Sequence, residues 1–268
     1  MDIPFTKAHG AGNDFLLTSA DQANALGLPA IARAICQRHI GIGADGWMLV
    51  RKDKAEDRDA TIRLFNTDGS EPEISGNGTR CAAALLISEG HPGEHVRIAT
   101  GAGIKELRLV YRNGLNFIFE MDMGKPVWNP DQLRFSLPLK RGPRDVTIVN
   151  VGNPQCAVVV DELPEDWREI GAEIESHAFF PNRTNVSFVR VLDRHTIDVR
   201  FYERGVGETM SSGTGSTGAA VTGILRGEAE SPVRVITPAG DLQFRWENSA
   251  YLIGPAAIVG SGVFHREP

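Results

Sequence analysis

The sequence predicts an α+β protein of two homologous domains, each a mainly antiparallel, β-barrel-like sheet around a central helix, with the two domains pseudo-two-fold related. Three observations predict this. ISGNGTRCAAALL (Ile74 to Leu86) and SSGTGSTGAAVTG (Ser211 to Gly223) share the pattern S-G-x-G-x-x-x-A-A, with Ser75 and Ser212 in the lead position, 137 residues apart. VRIATGAG (Val96 to Gly103) and VRVITPAG (Val233 to Gly240) repeat at the same spacing of 137. Around them run alternations of apolar and polar residues broken by turn residues, the pattern of half-buried strands. Matches at about half the chain length signify a duplicated domain, because solenoid repeats are far shorter, roughly 20–50 residues.

Taken in chain order, GNDFLL (Gly12 to Leu17) finds an echo in GNPQCAVVV (Gly152 to Val160), offset by 140. Phe65 and Phe201, 136 apart, each open the polar loop before a lead serine. The helix entered near Gly78 carries Cys81, Ala82, Ala83, Ala84, Leu85, Leu86 and Ile87, apolar nearly all round, which predicts burial. Gly215 to Leu225 repeats it with smaller residues. Ile104 to Met123 alternates on both sides of Asn113-Gly114, a strong hairpin signal, and Leu242 to Ile253 does so around Glu247 to Ser249. The proline-rich stretch from Pro126 to Pro143 reads as the passage between the halves.

Composition narrows the function classes. The 268 residues are 41% hydrophobic and 23% charged, enough for one large or two small cores. A net charge of −6 argues against nucleic acid or an anionic membrane surface as partner. No apolar run approaches the roughly 20 residues that span a bilayer. The start MDIPFTKAHG lacks the apolar core of a secretory signal, so the expected location is the cytoplasm. Cys36, Cys81 and Cys156 have no CxxC spacing and are expected to be reduced and buried. The histidines are read as offering no ligand spacing, and the glycine turns lack a Rossmann or Walker context, so no metal and no cofactor are expected.

A helix start leaves backbone N–H groups unpaired and carries partial positive charge, and glycines let a ligand approach that backbone closely. Each glycine turn is therefore an anion cradle, and facing domains would bring both cradles to one small carboxylate. This suits removal of a proton from one face of a carbon and its return to the other, which needs an acid/base group on each face. Cysteine at a helix start suits that role, because its thiol, with a reference pKa of about 8.5, becomes more acidic there. Serine stays protonated unless a neighbouring base activates it.

Seven motifs then carry a family resemblance: HGAGNDF (His9 to Phe15), RHIGIGADG (Arg38 to Gly46), FNTDGSE (Phe65 to Glu71), SGNGTRC (Ser75 to Cys81), GNPQC (Gly152 to Cys156), RTNVSFV (Arg183 to Val189) and YERGVGET followed by SGTG (Tyr202 to Gly215). In this order they resemble the signatures of diaminopimelate epimerases. The resemblance implies interconversion of LL- and meso-diaminopimelate without pyridoxal phosphate or metal. It implies a domain at 1–120 with 256–268 packing back on it, a second at 121–255, and a homodimer. By position it assigns Asn13, Asn66, Asn153, Asn185, Glu203 and Arg204 to polar groups of a zwitterionic amino-acid substrate. Gly76-Asn77 and Gly213-Thr214 would present the backbone amides that hold its reacting carboxylate. Asp14 and Glu208 are motif carboxylates that orient neighbours or brace loops.

The departure falls at the reacting centre. The resemblance places the family's two catalytic cysteines at Ser75 and Ser212, and Gln155 stands where a histidine is usual after GNP. Two readings stay open. In one, the protein is an epimerase whose Ser75 and Ser212 act as the catalytic pair, activated by Glu73, Glu203 or Glu208. In the other, it is a divergent or catalytically impaired homologue, natively or through engineered cysteine-to-serine changes. Such a protein binds a zwitterionic amino acid or isomerises a different small substrate, as phenazine-pathway isomerases do.

Overall fold

The computed structural model describes residues 2–23, 27–53 and 55–265. The chain forms two compact units, one of residues 1–121 with 254–268 and one of residues 122–253.

The first unit holds β1 (Asp2–Gly10), β2 (Asn13–Ser19), α1 (Leu28–Ile35), β3 (Gly46–Lys52), β4 (Ala60–Asn66), α2 (Gly76–Ser88), β5 (His95–Thr100), β6 (Gly103–Asn113) and most of β7 (Asn116–Gly124). β1 and β2 pair antiparallel, β2 and β3 parallel, β3 and β4 antiparallel, β4 and β5 parallel, then β5, β6 and β7 antiparallel. Parallel neighbours need a crossover, and α1 and α2 supply the two. Glycine at 114, with φ of +60°, closes the β6–β7 hairpin at the predicted Asn113-Gly114 turn.

The second unit continues with β8 (Val127–Trp128), β9 (Phe135–Leu137), β10 (Arg144–Asn150), β11 (Pro154–Val159), α3 (Trp167–Glu175), β12 (Asn185–Asp193), β13 (Thr196–Glu203), β14 (Gly207–Thr209), α4 (Gly213–Leu225), β15 (Val233–Thr237) and β16 (Gly240–Trp246). The last strand, β17 (Ala250–His265), belongs to both units. From β10 to β17 the pairing repeats that of β1 to β7, with the same order and polarity: antiparallel, parallel, antiparallel, parallel, antiparallel, antiparallel. Only a duplicated unit reproduces a pairing scheme of this length.

The first unit closes into a barrel of eight strands, because β17 pairs with β7 on one side and with β1, from Ala257 to His265, on the other. Arg266 to Pro268, the end of the segment expected to return to this domain, lie outside the described residues.

Two expectations are corrected. The proline-rich stretch is no passage between units: residues 126–143 lie within the second, and the chain crosses inside β7, just after Met121. Phe65 and Phe201 are not counterparts. Gly46 and Asn185 stand beside the equivalent Phe15 and Gln155 and continue the register to Asn66 opposite Gly46 and Tyr202 opposite Val186. Counting from these, Phe65 corresponds to Tyr202, Leu64 to Phe201 and Asn66 to Glu203, all at the spacing of 137. Each unit also has a second helix the sequence reading did not single out. α1 follows Gly27 with Pro29 in its first turn and buries Ile31, Ala32 and Ile35, and α3 buries Trp167, Ile170 and Ile174.

α2 and α4 are the central helices. α2 is buried from Gly76 to Ile87 and α4 from Gly213 to Gly223. Their glycines set how closely they approach the sheet. A Cβ on Gly218 would stand 2.9 Å from the Cβ and Cγ of Gln155, and one on Gly215 would stand 2.7 Å from the Phe201 ring. No helix is long and apolar enough to cross a membrane.

Candidate active site

Each central helix begins with a serine cap. Ser75 has extended backbone angles, φ −126° and ψ 118°, and its Oγ accepts from the Gly78 amide at 3.1 Å. Ser212 has φ −137° and ψ 124°, and its Oγ accepts from the Gly215 amide, also at 3.1 Å. Both conform to the rule that an N-cap oxygen satisfies the amide of the third helical residue. Neither helix carries an acidic residue in its own first turn. Gly76-Asn77 and Gly213-Thr214 are the first two residues of these helices, whose amides have no partner within the helix.

The two caps differ in what their hydroxyls reach. Ser212 is 3% exposed and donates its Oγ–H to Glu203 Oε2 at 2.7 Å. Thr209 donates to the other oxygen, Glu203 Oε1, at 2.7 Å. Ser75 is half-buried, and among the described residues no carboxylate accepts its hydroxyl. The duplication explains the difference: the counterpart of Glu203 in the first unit is Asn66, an amide, whose Nδ2 donates to Ser70 Oγ at 3.0 Å.

Glu208 lies elsewhere. In the β13–β14 hairpin it stands opposite Tyr202, the neighbour of Glu203, so its side chain shares the Tyr202 face and points away from that of Glu203. There it meets α3, where Arg168 binds it through two hydrogen bonds of 2.6 and 3.0 Å. Gly171 of the same helix would place a Cβ 2.9 Å from the Tyr202 Cβ, confirming that α3 covers this face.

In the first unit Asn13, Asn77 and the α2 start come together. Asn77 Nδ2 donates to Asn13 Oδ1 at 3.2 Å, and Asn13 Nδ2 donates to Asp45 Oδ2 at 2.8 Å. Asn66, at the end of β4, turns to its own loop through Ser70. Asp14 braces the neighbouring loop, with Arg38 at 2.9 Å, Lys7 at 3.0 Å and the Asp45 amide at 3.0 Å. Burial raises its carboxyl, but the hydrogen bonds and charges of Arg38 and Lys7 outweigh this and hold it below the ordinary aspartate value.

In the second unit Asn153 Nδ2 donates to Thr214 Oγ1 at 3.2 Å, and Gln155 Nε2 donates to Asn153 Oδ1 at 2.6 Å. Gln155, missed as a site residue by the sequence reading except as an absent histidine, thus orients Asn153. Asn185 bridges two chain segments, donating to the Pro154 carbonyl at 3.0 Å and accepting from the Arg204 amide at 3.1 Å. Thr209 and Asp45 were also missed. Both lie inside the quoted motifs YERGVGET and GIGADG, which were their signal.

The three thiols take no part. Cys36, Cys81 and Cys156 are free and buried, and burial pushes Cys36 and Cys81 up to about 12 and Cys156 higher still. His91 and His95 do stand four residues apart, contrary to the reading that no histidines share a ligand spacing. That spacing suits a metal on a helix, whereas these follow α2, and His91 Nε2 bonds the backbone carbonyl of His95 at 3.0 Å.

The family model described as diaminopimelate epimerase matches residues 5–129 and 147–259. The chain is 41% identical to the diaminopimelate epimerase of Moorella thermoacetica, over 97% of this chain and 98% of that one. It is 38% identical to that of Ralstonia nicotianae, over 98% and 96%. In fold it resembles the crystal structure of a probable proline racemase from Agrobacterium radiobacter, with a TM-score of 0.74 at 14% identity over 97% and 92% of the two chains. It also resembles a phenazine biosynthesis protein of Bacillus anthracis, with a TM-score of 0.67 at 17% identity over 98% and 99%. Two units with one pairing scheme, seven ordered motifs and near full-length identity to these enzymes lead to one assignment: this chain belongs to the diaminopimelate epimerase family.

Proposed function

We propose that this protein interconverts LL- and meso-diaminopimelate by proton transfer at Cα without a cofactor, with Ser75 and Ser212 at the positions of the family's catalytic cysteines. The amides of Gly76-Asn77 and Gly213-Thr214 hold the reacting carboxylate. Asn13, Asn66, Asn153, Asn185, Glu203 and Arg204 bind the remaining polar groups. One serine removes the Cα proton and the other returns a proton to the opposite face, so substrate and product differ only in configuration.

The observation that carries this reading is the hydrogen bond from Ser212 to Glu203, which joins a helix-cap hydroxyl to a base. Glu203 can receive the proton that Ser212 passes on, and Thr209 holds the carboxylate in place. A thiol at a helix start ionises readily, whereas a serine hydroxyl stays protonated unless a neighbouring base activates it. Turnover by the serine form is therefore slow relative to a thiol pair.

Proton NMR of LL-diaminopimelate incubated with the protein in D₂O tests the proposal. Loss of the Cα–H signal together with appearance of the meso isomer is the expected result. Binding without exchange would favour a second reading, a homologue that binds a zwitterionic amino acid or isomerises another small substrate. Ser75, whose hydroxyl no carboxylate accepts among the described residues, and Gln155 both favour that reading. Family membership also supports a cytoplasmic homodimer, for which sedimentation at micromolar concentration should give twice the chain mass of 29.1 kDa.

A further inference from the structure

Arg80 is fully buried in α2, yet among the described residues no carboxylate pairs with it. Its Nε donates to the Pro255 carbonyl at 3.1 Å and its NH2 group to Asn77 Oδ1 at 2.5 Å. Burial pushes its guanidinium down to about 10, so it remains charged at neutral pH. A buried charge without a counter-charge is costly, and a helix otherwise filled by alanine and leucine has no packing need for it.

The hydrogen bonds beyond it form a line of fixed direction. Arg80 donates to Asn77, Asn77 donates to Asn13, and Asn13 donates to Asp45, whose other oxygen accepts from Arg38 at 2.7 Å. A guanidinium can only donate and a carboxylate can only accept. With Arg80 at one end and Asp45 at the other, neither amide between them can turn over without setting donor against donor or acceptor against acceptor.

The duplicated unit lacks this device. There the corresponding line is Gln155 to Asn153 to Thr214, and it runs the other way: Asn153 presents its nitrogen to the helix, whereas Asn13 presents its oxygen. An amide ends that line on one side and a hydroxyl on the other, and each can both donate and accept, so nothing in it forbids reversal. The residue of α4 that corresponds to Arg80 is Thr217, whose hydroxyl donates within its own helix, to the Gly213 carbonyl at 2.9 Å.

We propose that Arg80 is a positioning residue that, acting with Asp45 through Asn77, locks the side-chain amide of Asn13 in one orientation for the substrate. This rests on Asn13 contacting the substrate, as proposed above. Asn13 then offers its remaining N–H and lone pair in known places, and no binding free energy goes into choosing between two rotamers.

The test reads orientation and affinity separately. The Asn13 side-chain amide is followed by ¹⁵N–¹H NMR without ligand, and the Kd of LL-diaminopimelate is measured by titration calorimetry. Arg80→Gln places a group that can donate or accept at the buried end. It should shift the Asn13 resonances and raise Kd by about tenfold, the scale of one hydrogen bond to a charged group. Arg80→Lys, still only a donor, should restore both toward the parent values. Asp45→Asn makes the same change at an exposed position, where folding is not at stake, and should reproduce the effect of Arg80→Gln. A purely structural arginine predicts the reverse ranking, because a neutral glutamine is easier to bury than a lysine. Lysine no better than glutamine, or unmoved Asn13 resonances in both Arg80→Gln and Asp45→Asn, would overturn the proposal. Resonances that shift as expected while Asn13→Ala leaves Kd unchanged would uphold the locking and remove Asn13 from the substrate site instead.

Discussion

Ser212 and Glu203 form a hydrogen-bonded pair, Oγ to Oε2 at 2.7 Å, within a unit whose duplicate has serine at the same helix cap and asparagine in place of the glutamate. One half of the protein thus holds a cap hydroxyl that donates to a carboxylate, and in the other, among the described residues, no carboxylate accepts the cap hydroxyl.

Placing thiols at the two caps should reveal what this asymmetry limits. Ser75→Cys and Ser212→Cys together are expected to raise LL-to-meso conversion on the order of 10²–10⁴-fold, the usual range for a competent acid/base group, and far more than either change alone. Circular dichroism or coupled assay of the isomer ratio reads the outcome. A double variant no faster than the parent, with substrate shown to bind, would mean that serine in place of a thiol at the two caps is not what limits turnover.

The two glutamates of the β13–β14 hairpin should separate cleanly. Glu203→Gln removes the base beside Ser212 and is expected to lower any Cα–H exchange by roughly 10²-fold. Glu208→Gln breaks only an exposed pair with Arg168, worth about 0–1 kcal/mol, and should leave exchange within a factor of two. Equal losses in both variants, measured by deuterium incorporation, would contradict the assignment.

Glycine-to-alanine changes at the two helix starts should differ although the positions correspond. At Gly215 a Cβ meets the Phe201 ring at 2.7 Å and the Ser212 Cβ at 2.9 Å, groups with nowhere to move. Gly215→Ala should destabilise by about 1–3 kcal/mol. At Gly78 the obstacle is the terminal methyl of Met48 at 2.7 Å, a flexible end that can swing aside. Gly78→Ala should cost less than half as much in urea unfolding; the opposite ranking would show that Met48 is held rigidly.

The pH dependence has two parts. Buried thiols with raised pKa values stay protonated at pH 8, so a thiol reagent should label Cys36, Cys81 and Cys156 only after denaturation. Rapid labelling of the native protein at pH 8 would contradict their burial. Asp14, held below its ordinary value of 3.8, behaves as a depressed carboxyl does: its stabilisation is present above that value and is lost as pH falls through the lower, folded-state one. Asp14→Asn should therefore lower the melting temperature at pH 7, with the gap from the parent closing below pH 4. A gap that widens on acidification would reverse the sign of the Asp14 interaction.

Much was legible in the sequence because the signals are local. A serine ahead of a glycine turn, an Asn-Gly turn and an alternating strand each depend on residues a few positions apart; recurrence at 137 exposed the duplication and the central helices, and alternation exposed both hairpins. The helices α1 and α3 were legible too, from Pro29 after Gly27 and from the spacing of Trp167, Ile170 and Ile174, but were passed over.

Tertiary structure alone decided which partner each side chain received. Glu203 and Glu208 belong to one motif and are equally good candidates on paper; strand pairing puts Glu208 opposite Tyr202 and so turns it to α3, leaving Glu203 on the face that meets the start of α4. Register likewise showed Asn66, not a carboxylate, at the position matching Glu203. Arg80 was one letter of the SGNGTRC motif until folding placed Asn77, Asn13 and Asp45 in line with it. A side chain's chemistry is written in its own residue, but the direction of a hydrogen bond depends on what the rest of the chain brings within 3 Å or so.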